Sequence, residues 1–113
     1  MPINFRDHKP KTLTEAIDIL YDAMTDDEKK SVRENGAITL HHGFGTALRN
    51  NWGLWSGSKL KQFFEKTYGI KHADDMSGLI LEGLDARLNG LEFDVLAKVE
   101  SYKQHWIDQG VKP

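Results

Sequence analysis

The sequence predicts an all-α fold, a bundle of five or six short helices. Three observations carry that expectation. Proline occurs only at Pro2, Pro10 and Pro113, so nothing from Lys11 to Lys112 imposes the strongest helix break. Gly36, Gly69, Gly90 and Gly110 each follow a stretch of helical periodicity, where a left-handed C-terminal cap favours a residue without a Cβ. Apolar residues recur at spacings of three and four through most of the chain.

The elements follow in order. Thr12-Leu13-Thr14-Glu15 reads as a capping box, in which hydroxyl and carboxylate satisfy each other's free backbone N–H groups. Behind it Leu13, Ala16, Ile17, Leu20 and Met24 form one apolar stripe. A second box, Thr25-Asp26-Asp27-Glu28, opens a short helix with acids at its positive end and Lys29, Lys30 and Arg33 further on. Val32 is its one clear apolar anchor, so this helix is expected to lie largely exposed. A third helix is read over Ile38 to Asn50. Ser56-Gly57-Ser58 supplies a turn and an N-cap for a fourth, which buries Leu60, Phe63 and Phe64 and ends near Tyr68-Gly69. Asp74 or Asp75 caps the fifth, with Leu79, Ile80, Leu84 and Leu88 inward and a stop at Asn89-Gly90. The sixth runs from about Phe93 to Asp108 on an inner face of Leu96, Val99, Tyr102 and Trp106. Residues 12–110 form the single domain of this reading; residues 1–11 are a loose leader from which Ile3 and Phe5 could dock on the body, and residues 111–113 are a tail.

Composition narrows function by exclusion. The 113 residues are 39% hydrophobic and 28% charged, a mix that can fill one core and keep the surface wet. Fifteen basic against 17 acidic side chains give a net charge of -2, which disfavours coating nucleic acid or an anionic membrane. The absence of cysteine removes disulfides, thiolate nucleophiles, zinc fingers and iron-sulfur clusters. Neither a signal peptide nor a membrane span is expected, and the cytoplasm is the simplest location.

One segment carries more information. From Ala37 to Gly57, 21 residues hold a single formal charge, Arg49, together with His41, His42 and four glycines. Glycine inside a helix costs roughly 1 kcal/mol relative to alanine, so Gly43 and Gly45 point to close approach of another backbone or of a ligand. Trp52 and Trp55 are read as core anchors after the helix ends, or else as stacking surfaces of a pocket. Arg49 has two readings as well. In one it forms an internal salt bridge to Asp74 or Asp75, with Asn50 and Asn51 capping the helix end. In the other it holds an anion or a partner protein.

The run from Leu40 through His41, Gly43, Gly45, Leu48, Arg49, Asn50, Trp52, Leu54 and Trp55, followed by Asp74-Asp75-Met76-Ser77 and Leu88-Asn89-Gly90, resembles a family of small bacterial and phage helical domains of unknown function. The similarity extends roughly from Leu13 to Trp106. Leu48 stands where that family's pattern has isoleucine, and His42 where an apolar or acidic residue is expected. The resemblance implies that His41, Arg49, Asn50 and the Asp74 to Ser77 segment form one polar locus. It supplies no reaction, ligand or cofactor.

Sharper chemistry lacks its parts. His41 and His42 point about 100° apart on a helix and cannot readily share an ion, so no metal site is expected even with Asp74 and Asp75 nearby. Helical nucleases of the HEPN type place a histidine a few residues after an Arg-polar pair; Arg49-Asn50 opens that pattern, but Trp55 stands at the histidine's place. There is no Gly-x-Ser-x-Gly elbow, and Gly43-Phe44-Gly45 does not continue into a phosphate loop. His8, His72 and His105 read as incidental. The expectation is therefore a protein without catalytic residues, metal or cofactor: an interaction domain, such as a phage or mobile-element accessory protein, that binds a host or partner protein. The alternative is a small-molecule or nucleotide binder holding an anion in a pocket around Arg49. The candidate site comprises His41, Gly43, Gly45, Arg49, Asn50, Trp52, Trp55, Asp74, Asp75 and Ser77, and the oligomeric state is left open.

Overall fold

The computed structural model describes residues 8–36 and 43–111. Ile3, Phe5, the tail residues 112–113 and the stretch from Ile38 to His42, His41 included, lie outside them. Among the described residues the chain forms six α-helices and no strand: α1 (Leu13–Ala23), α2 (Asp26–Asn35), α3 (Gly43–Asn51), α4 (Lys59–Tyr68), α5 (Ala73–Leu88) and α6 (Val95–Asp108). The fold is all-α.

Local chemistry sets most of the boundaries. Thr25 Oγ1 accepts from the Glu28 amide at 3.2 Å while Glu28 Oε1 accepts from the Thr25 amide at 3.0 Å, a complete reciprocal cap. At α1 only half of that arrangement forms. Thr12 Oγ1 accepts from the Glu15 amide, but the Glu15 carboxylate reaches one residue further back, to the Lys11 amide at 2.7 Å. Pro10 is buried, so the end of the leader lies against the body. Ser58 caps α4 and Gly69, at φ +69°, closes it in the left-handed conformation.

The core is organised around α5, which touches each of the other five helices. Along it Ala73, Met76, Leu79, Ile80, Leu81, Leu84 and Leu88 are buried, spread around most of its circumference, as suits an element enclosed by neighbours on several sides. Leu13, Ala16 and Leu20 of α1, Leu48 of α3, Trp52 just after it, and Leu60 and Phe64 of α4 close on it. α2 buries only Val32 and lies on the surface.

The Ile38 start expected for the third helix lies outside the described residues, which take the helix up at Gly43 and carry it to Asn51, one residue past the expected end. Three expectations are corrected. Neither Asp74 nor Asp75 caps α5; His72 occupies the N-cap position but its side chain does not cap the helix, and both acids sit in the first turn. Leu96 is 67% exposed, because α6 starts at Val95 and its packed face runs through Val95, Val99, Tyr102 and Trp106, placing Leu96 one helical step away from α5. Trp55 is not a core anchor: it is 61% exposed while Trp52 is 4% exposed, since the chain leaves helical geometry at Gly53, φ +68°, and the three-residue spacing no longer keeps the two rings on one face.

Candidate functional site

The polar residues singled out in the sequence fall into three neighbouring environments. The first is a tie between α3 and α5. Arg49, in the last turn of α3, donates from Nη1 to Ser77 Oγ at 2.9 Å and from Nη2 to Thr46 Oγ1 at 3.1 Å. Its Nε lies 3.3 Å from Asp74 Oδ1, close enough for an ion pair but outside hydrogen-bond alignment, so that Nε is buried without an aligned acceptor. Ser77 is fully buried and passes the connection on by donating to the Asp74 carbonyl at 3.0 Å. The Arg49 side chain is 12% exposed and that of Asp74 66%. A lone arginine in an uncharged stretch thus has an internal anion, Asp74 and not Asp75, and another anion at this guanidinium would meet that carboxylate.

The second environment surrounds Trp55. Its indole N–H donates to Asn50 Oδ1 at 3.1 Å, and the Arg49 guanidinium carbon lies 6.0 Å from the ring centre. The loop beneath is held by one carbonyl, that of Gly53, which accepts from the amides of Ser56, Gly57 and Ser58. Asn51 turns back onto the Ala47 carbonyl at 3.0 Å. Asn50 and Trp55 are therefore exposed and mutually oriented, while Trp52 faces the core. Gly45 is buried within α3 and Gly43 opens that helix.

The third environment lies on the other side of the α5 first turn. Successive helical residues diverge by about 100°, so Asp75 turns away from Asp74 and Arg49, toward α6. Asp75 is 6% exposed and its Oδ2 accepts from the Trp106 indole N–H at 2.6 Å. The Trp106 ring stacks on the His72 imidazole, centroids 3.9 Å apart and planes 21° from parallel, and His105 meets the same ring edge-on at 5.5 Å. Burial pushes the Asp75 carboxyl above its usual value, against the opposing pull of the Trp106 hydrogen bond and of His72. Tyr102 donates to Glu82 Oε2 at 3.2 Å; burial, then the neighbouring Glu82 charge, raises its phenol well above the usual value. An open cleft of ≈ 460 Å³ runs along Asp74, Asp75, Tyr102 and His105.

Of the predicted residues, Arg49, Asp74 and Ser77 come together, Asn50 and Trp55 form a second pair, Asp75 belongs to the α5–α6 contact, and His41 lies outside the described residues. Sequence reasoning missed His72, which stacks on an aromatic ring 34 positions away; an isolated histidine before a helix carries no signal for such a contact. It also missed a cavity of ≈ 400 Å³ bordered by Lys9, Lys11, Trp52 and Lys59. Among the described residues no group of three or more histidine and carboxylate side chains could hold a metal ion, and no helix is long and apolar enough to cross a membrane.

The fold and these contacts define a small all-α protein, six helices among the described residues, whose polar residues tie helices together around a central α5. Residues 9–88 match the family model described as Domain of unknown function (DUF6794), and the chain belongs to that family. The matched stretch takes in α1 to α5, including Arg49, Trp55 and the Asp74 to Ser77 turn, and stops before α6, short of the Trp106 limit read from the sequence. No curated relative and no solved structure matches the chain.

Proposed function

We propose that the chain is a non-enzymatic interaction domain that binds a partner protein through the face around Trp55. The observation that carries this reading is the state of that side chain: a tryptophan 61% exposed to water, yet oriented by its bond to Asn50 on a loop gathered at the Gly53 carbonyl. A large ring with few rotatable bonds loses little conformational entropy on docking, and tryptophans of this kind dominate the energetics of interfaces. Arg49, lying below, spends its hydrogen bonds inside the protein and acts as support. The setting that fits is a phage or mobile-element accessory protein acting on a host protein in the bacterial cytoplasm.

Site-specific photo-crosslinking tests it. A photoreactive phenylalanine analogue at position 55, compared with the same analogue at the exposed position of Lys30 on α2, should give one discrete adduct in producing cells from position 55 alone. Trp55→Ala should abolish co-purification of the adduct's partner while leaving the melting midpoint unchanged. Absence of an adduct, or the same adduct from both positions, overturns the reading.

A further inference from the structure

The cavity bordered by the segment ahead of α1 and the α3–α4 connection is independent of the Trp55 face. Its volume, ≈ 400 Å³, lies in the range of small-molecule sites. Its lining is distinctive in charge. Lys9, Lys11, Lys59 and His8 border it, and among the described residues no aspartate or glutamate does, in a chain whose acids outnumber its lysines and arginines. All three lysines are exposed, and none forms an ion pair among the described residues, whereas Lys30, Lys61 and Lys98 each pair with a glutamate.

Two further features face the same space. Ser58 and Lys59 place the N-terminus of the ten-residue α4 at its edge. Ser58 takes the Lys61 amide on its hydroxyl and the Gln62 amide on its carbonyl, leaving the Lys59 and Leu60 amides as first-turn donors at the positive end of the helix dipole. Trp52, almost wholly buried, supplies an apolar section of wall. Cationic rim, free amides and aromatic wall together suit a ligand that has both a phosphate and a flat apolar body.

We infer that this cavity binds a nucleoside monophosphate, the phosphate at Lys11, Lys59 and the α4 N-terminus and the base toward Trp52. Charge-assisted hydrogen bonds to phosphate are the strongest available to these groups, and the surrounding lysines raise the local anion concentration.

Calorimetric titration of the full chain with AMP, inorganic phosphate and adenosine tests the inference. AMP should bind saturably and at least about tenfold more tightly than either half-molecule, and its affinity should fall as salt is added. The Lys11→Gln/Lys59→Gln variant should lose about tenfold or more in AMP affinity at an unchanged melting midpoint, while Lys30→Gln/Lys98→Gln should bind as the parent does. Failure of AMP to saturate, phosphate or adenosine binding as tightly as AMP, or undiminished binding by the first variant each overturns it. Trp55→Ala should leave AMP affinity unchanged, which separates this site from the partner-binding face.

Discussion

The Trp106 indole N–H closes on the Asp75 carboxylate at 2.6 Å, joining the middle of the last helical turns of α6 to the first turn of α5. Among the described residues it is the one hydrogen bond to a carboxylate almost removed from water, so its loss should be felt beyond its own strength. Trp106→Phe keeps a ring against His72 but removes the donor. A cost of about 1–3 kcal/mol is expected in urea denaturation, the penalty for a buried acceptor left without a partner. A change within about 0.5 kcal/mol would show that water replaces the indole and that the contact does not hold α6.

The same carboxylate gives stability an unusual pH dependence. Its pKa is raised in the folded chain above the ordinary 3.8, chiefly by burial. The folded state therefore favours the protonated form: this contribution is full below the unfolded value and is lost as pH rises through the folded one. Asp75→Asn cannot ionise and still offers an oxygen to Trp106. The variant should gain stability relative to the parent between mildly acidic pH and neutrality, read from paired thermal melts. The parent gaining on the variant over that interval would contradict the sign.

At the α3–α5 tie the three partners of Arg49 differ in burial, and the costs of removing them should differ accordingly. Arg49→Ala strands the buried Ser77 hydroxyl from its partner on α3 and is expected to cost about 2 kcal/mol in denaturant titration. Asp74→Asn removes a largely exposed charge and should cost less than about 1 kcal/mol. Arg49→Lys should recover little, since one ammonium cannot reach Ser77, Thr46 and Asp74 in the geometry of a planar guanidinium. Full recovery by lysine would mean that charge alone matters here.

Gly78 sits where a Cβ would collide with the Tyr102 hydroxyl. Alanine is better than glycine in a helix by about 1 kcal/mol, so on propensity alone Gly78→Ala would stabilise α5. The collision should win: Tyr102 must move off Glu82, and overpacking of this kind costs about 1–3 kcal/mol. A lower melting midpoint, together with a Tyr102 phenol that titrates nearer its ordinary value in absorbance, is the expected outcome.

What the sequence disclosed and what it hid divide along one physical line. Thr25, Ser58 and Gly69 act on backbone groups within a few residues of themselves, so their roles follow from spacing alone, and the stripes of α1 and α5 follow from the helical period. Asp75 looks the same in sequence whether it caps its own helix or accepts from Trp106, 31 positions on, and only the path of α6 decides. Trp52 and Trp55 look equivalent until the positive φ of Gly53 rotates one ring out of the core. Leu96 was misplaced because a helix that starts two residues later than Phe93 gives no register from its first turn. The lysines of the cavity are spread over 51 positions, from Lys9 to Lys59 inclusive, among many other charges, and nothing local connects them.

Because every other helix among the described residues leans on α5, opening α5 means dismantling the whole body, whereas α2, anchored by Val32, and α6, held by Val99 and the Trp106 and Tyr102 contacts, can each detach while the rest stays packed. Amide protons should sort by that hierarchy. Those of α5 should exchange with solvent only at the rate of global unfolding, while α2 and α6 lose theirs through cheaper local openings, giving the protein one slowly exchanging axis inside a faster sheath.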